Sequence, residues 1–247
     1  MEEAHGGLYR FSTKADMDKR FDAYRKRLEK ITTQKQFILL LSELLADTRD
    51  GHMRLEVDEN TGTAVGKARL LPFRLQVYDS RLVVLYNETP ADATIKPGME
   101  ILTINSHKAA DLVQSMFPYL PADGYIKTGK LRRLDRSFPQ YYWLVIDTAA
   151  TFTITAKDDA GKTITIKLDG VVNSDREANR KNNAVNKEIL ANMSKLDGPA
   201  ENISLQFLND GTIAHLRIRT FGGEDFRDKL DSVFKTVQDK KNRIFHS

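Results

Sequence analysis

The sequence predicts an α+β fold in which helices and strands occupy different stretches of the chain. Three observations carry that prediction. Apolar residues recur at helical spacing through the N-terminal part, and they alternate at strand spacing from Arg69 onward. The strand pattern then returns at Ile203 and passes into a last helical stripe. A length of 247 residues allows one or two domains, and 40% hydrophobic residues supply a core. A net charge of +4 is too small for a disordered chain.

Thr13-Lys14-Ala15-Asp16 has the form of a helix-capping box, and Met17, Phe21, Tyr24, Leu28 and Ile31 follow as one apolar stripe. Thr33-Gln34-Lys35-Gln36 repeats the cap ahead of Phe37, Leu40, Leu41, Leu44 and Leu45. The two helices are expected to pack as a hairpin within a segment 1–57. The second should stop near Gly51 with a left-handed cap, so that His52 follows on a turn. Residues 69–170 read as a strand-rich module. Leu71, Phe73, Leu75 and Val77 alternate, and Asp79-Ser80 turns the chain into a strand over 81–86. A strand over 99–105, a short helix over 108–116 and a hairpin closed at Asp158-Asp159-Ala160-Gly161 complete it. Residues 171–202 are polar and read as a linker with one helical stretch near Lys187–Met193. The final unit, 203–247, has a hairpin turning at Asn209-Asp210-Gly211 and a helix capped by Asp225. The stripe of that helix is Phe226, Leu230, Val233, Phe234 and Val237.

Several functions are set aside by what the sequence lacks. Apolar runs such as Phe37 to Leu41 are far short of the about 18 residues of a membrane helix. Cys is absent, which removes disulfides, thiolate metal sites and cysteine nucleophiles. Gly62-Thr63-Ala64-Val65-Gly66-Lys67-Ala68 fails as a phosphate loop because it is one residue short between glycines and has Ala where a hydroxyl must meet magnesium. The five histidines stand apart in the sequence, so neither a metal site nor a cofactor is expected. The densest basic stretch, Lys127 to Arg136, reads as a solvated charged face and not as a nucleic-acid footprint. Among the aromatic residues, Phe138, Tyr141, Tyr142 and Trp143 read as a core cluster, with the lining of a groove as the alternative.

Four landmarks remain, in order. They are His5-Gly6-Gly7-Leu8-Tyr9, then Asp50-Gly51-His52-Met53-Arg54-Leu55, then Ile95-Lys96-Pro97-Gly98-Met99-Glu100-Ile101-Leu102-Thr103-Ile104-Asn105, and last Ile213-Ala214-His215-Leu216-Arg217-Ile218-Arg219-Thr220-Phe221. This arrangement resembles the C-terminal-processing, or tail-specific, serine peptidase family, in the branch related to the tricorn protease core. The resemblance implies a PDZ-like module over 69–170 and, from 203, the first elements of a crotonase-like α/β peptidase core. It implies proteolysis by serine acyl transfer on peptide or unfolded-protein substrates, in an extracytoplasmic (periplasmic or secreted) setting. No signal peptide is visible, since Met1-Glu2-Glu3 is acidic and no apolar run follows.

In that branch a His in the position of His52 is the general base, a role suited to an imidazole titrating at about pH 6.5. Gly51 stands where the tricorn pattern has Ser, so a four-residue charge relay is not expected. Arg69 and Arg74 are the residues available to pair with a substrate carboxylate. The family's Gly-Gly oxyanion segment and serine nucleophile have no counterpart: Arg243-Ile244-Phe245-His246-Ser247 stands where the preceding strand would begin. The chain by itself is therefore expected not to hydrolyse peptides, and its incomplete core is expected to drive homodimerisation. The alternative reading is a non-catalytic peptide- or protein-binding module of the PDZ-like type.

Overall fold

The computed structural model describes residue 3, residues 5–197 and residues 201–244. Of the stretch expected to begin a further strand, Arg243 and Ile244 are helical, and Phe245, His246 and Ser247 lie outside the described residues. The chain forms two compact units, Met1–Leu190 and Ala191–Ser247. Helices and antiparallel sheets alternate in blocks, as an α+β fold requires. Among the described residues no helix is long and apolar enough to cross a membrane.

The first unit opens with helices α1 (Lys14–Leu28) and α2 (Gln34–Asp47), which pack together. Both start where their caps predict. The Thr13 hydroxyl accepts the Asp16 N–H, and Thr33 and Gln36 form a full reciprocal capping box. Polar contacts tie the pair together: Tyr24 donates to Asp47 at 2.8 Å, and Arg27 grips Glu43 with two bonds of 2.9 and 2.6 Å. A third helix, α3 (Glu59–Lys67), is capped by Asp58, whose carboxylate accepts the Thr61 N–H. The sequence reading contained no helix here.

Eight strands follow: β1 (Arg69–Leu70), β2 (Phe73–Tyr78), β3 (Arg81–Asn87), β4 (Glu100–Ile104), β5 (His107–Lys108), β6 (Thr151–Lys157), β7 (Thr163–Asp169) and β8 (Val171–Val172). Six of them form one antiparallel sheet in the order β2-β3-β4-β6-β7, with β5 paired to β4, while β1 pairs with β8. The stretch Lys96-Pro97-Gly98 makes its turn through Gly98 at φ +91°, and the Gly98 N–H donates to Val84 at 2.8 Å. The strand after it buries Ile101 and Ile104 completely. Asn105 then closes the strand by exchanging bonds with the Thr153 backbone.

Helices α4 (Ala109–Met116) and α5 (Lys127–Tyr141) cover one face of this sheet, with Leu112, Met116, Leu134 and Phe138 buried against Phe73, Leu75, Ile101 and Ile154. Helix α5 is the stretch read from sequence as a solvated basic face. Only part of that reading survives, because Lys130 donates to the Phe117 carbonyl, Arg133 to the Gly51 carbonyl, and Arg132 pairs with Asp135 at 2.6 Å. The helix kinks at Ser137, two residues before Pro139.

Helices α6 (Arg176–Asn182) and α7 (Lys187–Asp197) come next. Residues 173–190 fold back on β3 through buried polar groups. Asn186 accepts the Asn87 N–H and donates to the Asn87 and Arg180 carbonyls, Asn183 donates to Thr89, and Arg176 pairs with Glu88 in the interior. The second unit holds the hairpin β9 (Ile203–Leu208) and β10 (Ile213–Ile218), turned through Asn209, Asp210 and Gly211 all at positive φ, and helix α8 (Phe226–Ile244). The stripe residues Phe226, Leu230, Val233 and Val237 are half-buried because α8 lies against β9; Phe234 is the member that faces solvent.

Glu100 links three strands of the main sheet, taking Arg81 of β3 in two bonds of 2.8 and 3.0 Å and Lys157 of β6 at 3.3 Å. Hydrogen bonding from Arg81, then from Lys157, holds its carboxyl below the ordinary value of 4.5. A carboxyl depressed in the folded state contributes stability above its unfolded pKa and loses it as pH falls through the folded one. The Glu100→Gln variant is therefore expected to be less stable than the parent in urea unfolding at neutral pH. The gap between the two should close as pH drops below the carboxylate range.

Candidate active site

Helix α2 ends at Thr48, and Arg49, not Gly51, takes the left-handed turn, with φ +57°. The strain at Arg49 is offset by its guanidinium, which lies 4.2 Å from the Tyr125 ring centre and donates to the Phe11 carbonyl at 3.3 Å. Gly51 is needed for a different reason. Its N–H donates to Asp123 Oδ1 at 2.8 Å, its carbonyl accepts from Arg133 at 2.9 Å, and a Cβ there would stand 3.0 Å from the Asp123 carboxylate. Both backbone groups of Gly51 are thus held by residues 72 and 82 positions away in sequence, and His52 is carried on the clamp.

The His52 side chain is 90% exposed. Asp50 Oδ1 accepts the His52 backbone N–H at 2.8 Å and faces its ring Nδ1 at 3.2 Å. The backbone N–H of His52 is the main reason the Asp50 carboxyl lies below its usual range. The ionised carboxylate favours a proton on Nδ1, which leaves the Nε2 lone pair outward and free to take a proton. On its other side Asp50 Oδ2 lies 3.0 Å from His5 Nε2, off the line of a hydrogen bond. His5 is nine-tenths buried, and its Nδ1 accepts the Gly7 N–H at 3.1 Å, so its proton sits at Nε2 toward Asp50. The fold therefore joins two histidines that stand apart in the sequence on one carboxylate.

Asp123 Oδ1 lies 3.9 Å from His52 Nδ1. Asp50, His52 and Asp123 each offer a ligand atom within 4.8 Å of the others, a three-donor set that suits a divalent cation, although exposed acidic groups commonly gather without one. Among the described residues no serine or threonine hydroxyl is hydrogen-bonded to His52.

The two arginines singled out from sequence lie elsewhere. Arg69 donates to the Gly170 carbonyl at 3.0 Å, and Arg74 to the Arg136 carbonyl, with burial pulling its pKa down. Neither meets His52. Strand β2 is an edge of the main sheet, and two of its backbone groups are already taken: Asp135 accepts the Val77 N–H at 2.6 Å and Arg176 donates to the Phe73 carbonyl. Of the four aromatic residues read as a cluster, Phe138 and Tyr142 are core, while Tyr141 and Trp143 face a cleft beside the His52 turn.

No family model matches the chain. No curated protein matches it either. Among solved structures it is distantly similar to the crystal structure of mature CPAF, with 12% identity and a TM-score of 0.42. That similarity covers 60% of this chain and 27% of the other, so the chain spans about a quarter of that structure.

The clamp predicts the effect of a side chain at position 51. Gly51→Ser should push the Asp123 carboxylate away and cost about 1 kcal/mol of stability, one hydrogen bond. Asp123→Ala should cost a similar amount. The double variant should be no worse than either single one in denaturant melts, since both remove the same bond.

Proposed function

We propose that this chain is the front portion of a serine peptidase of the tail-specific type, with His52 as its general base. The observation that carries the reading is the Asp50–His52 pair on an exposed, clamped turn, Nδ1 held at 3.2 Å and Nε2 free. In acyl transfer Nε2 takes the hydroxyl proton as the oxygen attacks the carbonyl carbon. The imidazolium so formed stays on Asp50, whose charge stabilises it. His5 Nε2 lies 3.0 Å from the other oxygen of Asp50 and adds to the polar surroundings of that carboxylate. The Gly98 turn and the strand closing at Asn105 support a PDZ-like module over 69–170, and the hairpin and helix of 203–247 support the opening of a crotonase-like core.

On this reading the nucleophile and the oxyanion donors come from outside residues 1–247, and the substrates are peptides or unfolded proteins. The isolated chain neither cleaves an unfolded protein nor is labelled by a fluorophosphonate. In the gene product extended past residue 247, cleavage appears and His52→Ala lowers its kcat/KM by about 100- to 10,000-fold. Asp50→Asn gives a smaller loss. Cleavage that is indifferent to His52→Ala, or no cleavage by any extended product, overturns the proposal.

A further inference from the structure

The cleft that Tyr141 and Trp143 face is walled by α2, α3, α5 and the segment after α5, and it encloses about 300 Å³. That is the lower end of the size range of small-molecule sites. Leu45, Leu55, Leu144 and the Trp143 ring give it an apolar wall. Its charged lining is one-sided: Arg54 and Arg133 border it, and no acidic residue does. Among the described residues neither arginine has a carboxylate partner, and Arg133 spends one donor on the Gly51 carbonyl, leaving the rest of its fork available. Tyr141 adds a phenol kept protonated by burial. A guanidinium next to apolar surface attracts an anion more strongly than one surrounded by water.

We infer that this cleft is a binding site for a small apolar carboxylate, with the acid on Arg54 and Arg133 and the hydrocarbon or aryl body among Leu45, Leu55, Leu144 and Trp143. The site is separate from the proton-transfer reading of His52 and does not rest on it. A neutral ligand of the same shape would leave two cations unanswered, and a cationic one would be repelled.

Trp143 is the one tryptophan of the sequence, so its emission reports the cleft directly. Titration with 4-phenylbutanoate is expected to change that emission saturably, in the micromolar range. The alcohol 4-phenylbutanol should bind at least about tenfold more weakly, the worth of one charge-assisted contact. Arg54→Gln, at an exposed position with no other partner among the described residues, should weaken the acid about tenfold; Arg133→Gln should do the same, and Val65→Phe, which fills the cleft, should abolish binding. His52→Ala should retain full affinity, so this result stands or falls apart from the catalytic one. The inference is overturned by no saturable change, by equal affinity for acid and alcohol, by an unaltered affinity in Arg54→Gln, or by loss of binding in His52→Ala.

Discussion

The two hydrogen-bonded backbone groups of Gly51 are the constraint on which the site depends. Its N–H is held by Asp123 and its carbonyl by Arg133, and the Gly124 N–H closes on the Arg49 carbonyl at 2.9 Å beside it. A turn after a helix is ordinarily free to fray, since the last carbonyls have no partner in the helix. Here the strand-rich module supplies the partners, so the helical front and the sheet share one fixed loop. Because the loop is fixed, Asp50 can serve both His5 and His52, and the ring of His52 has a defined orientation although its side chain is exposed.

Arg133 belongs to two arrangements at once. Through the Gly51 carbonyl it sets the turn, and along the cleft it is one of two arginines with no acidic partner among the described residues. Helix α5 brings it there because Leu134 and Phe138 are buried in the sheet, which turns the neighbouring face toward α2. Packing in the core thus decides where the charge is presented. The kink at Ser137 and Pro139 then redirects the chain so that Tyr141 and Trp143 close the far side of the cleft.

Much of the architecture is legible in local sequence because local chemistry determines it. Thr13 and Thr33 cap their helices, Asp79 takes the left-handed turn between β2 and β3, and Gly161 closes the β6–β7 hairpin. Helix α5 is hidden by its own charge, since the basic side chains draw notice away from Leu131, Leu134 and Phe138 at spacings of three and four. Helix α3 is hidden by its glycines and threonines, which are poor helix formers held by Asp58 and by Thr61 packing. For the site, His52 stands out from sequence only through a resemblance. His5 stands there as part of a landmark without a role, and Asp123 does not stand out at all, because a contact spanning 72 residues, such as Asp123 with Gly51, leaves no mark in a single sequence.

The orientation of the His52 ring decides whether it can take a proton at Nε2, and nitrogen-15 NMR of the neutral imidazole reads it directly. His52 in the parent protein is expected to carry its proton on Nδ1 with Nε2 bare, and Asp50→Asn to shift the ring toward the other tautomer. A parent His52 protonated at Nε2, or a tautomer balance that Asp50→Asn leaves unchanged, would contradict it.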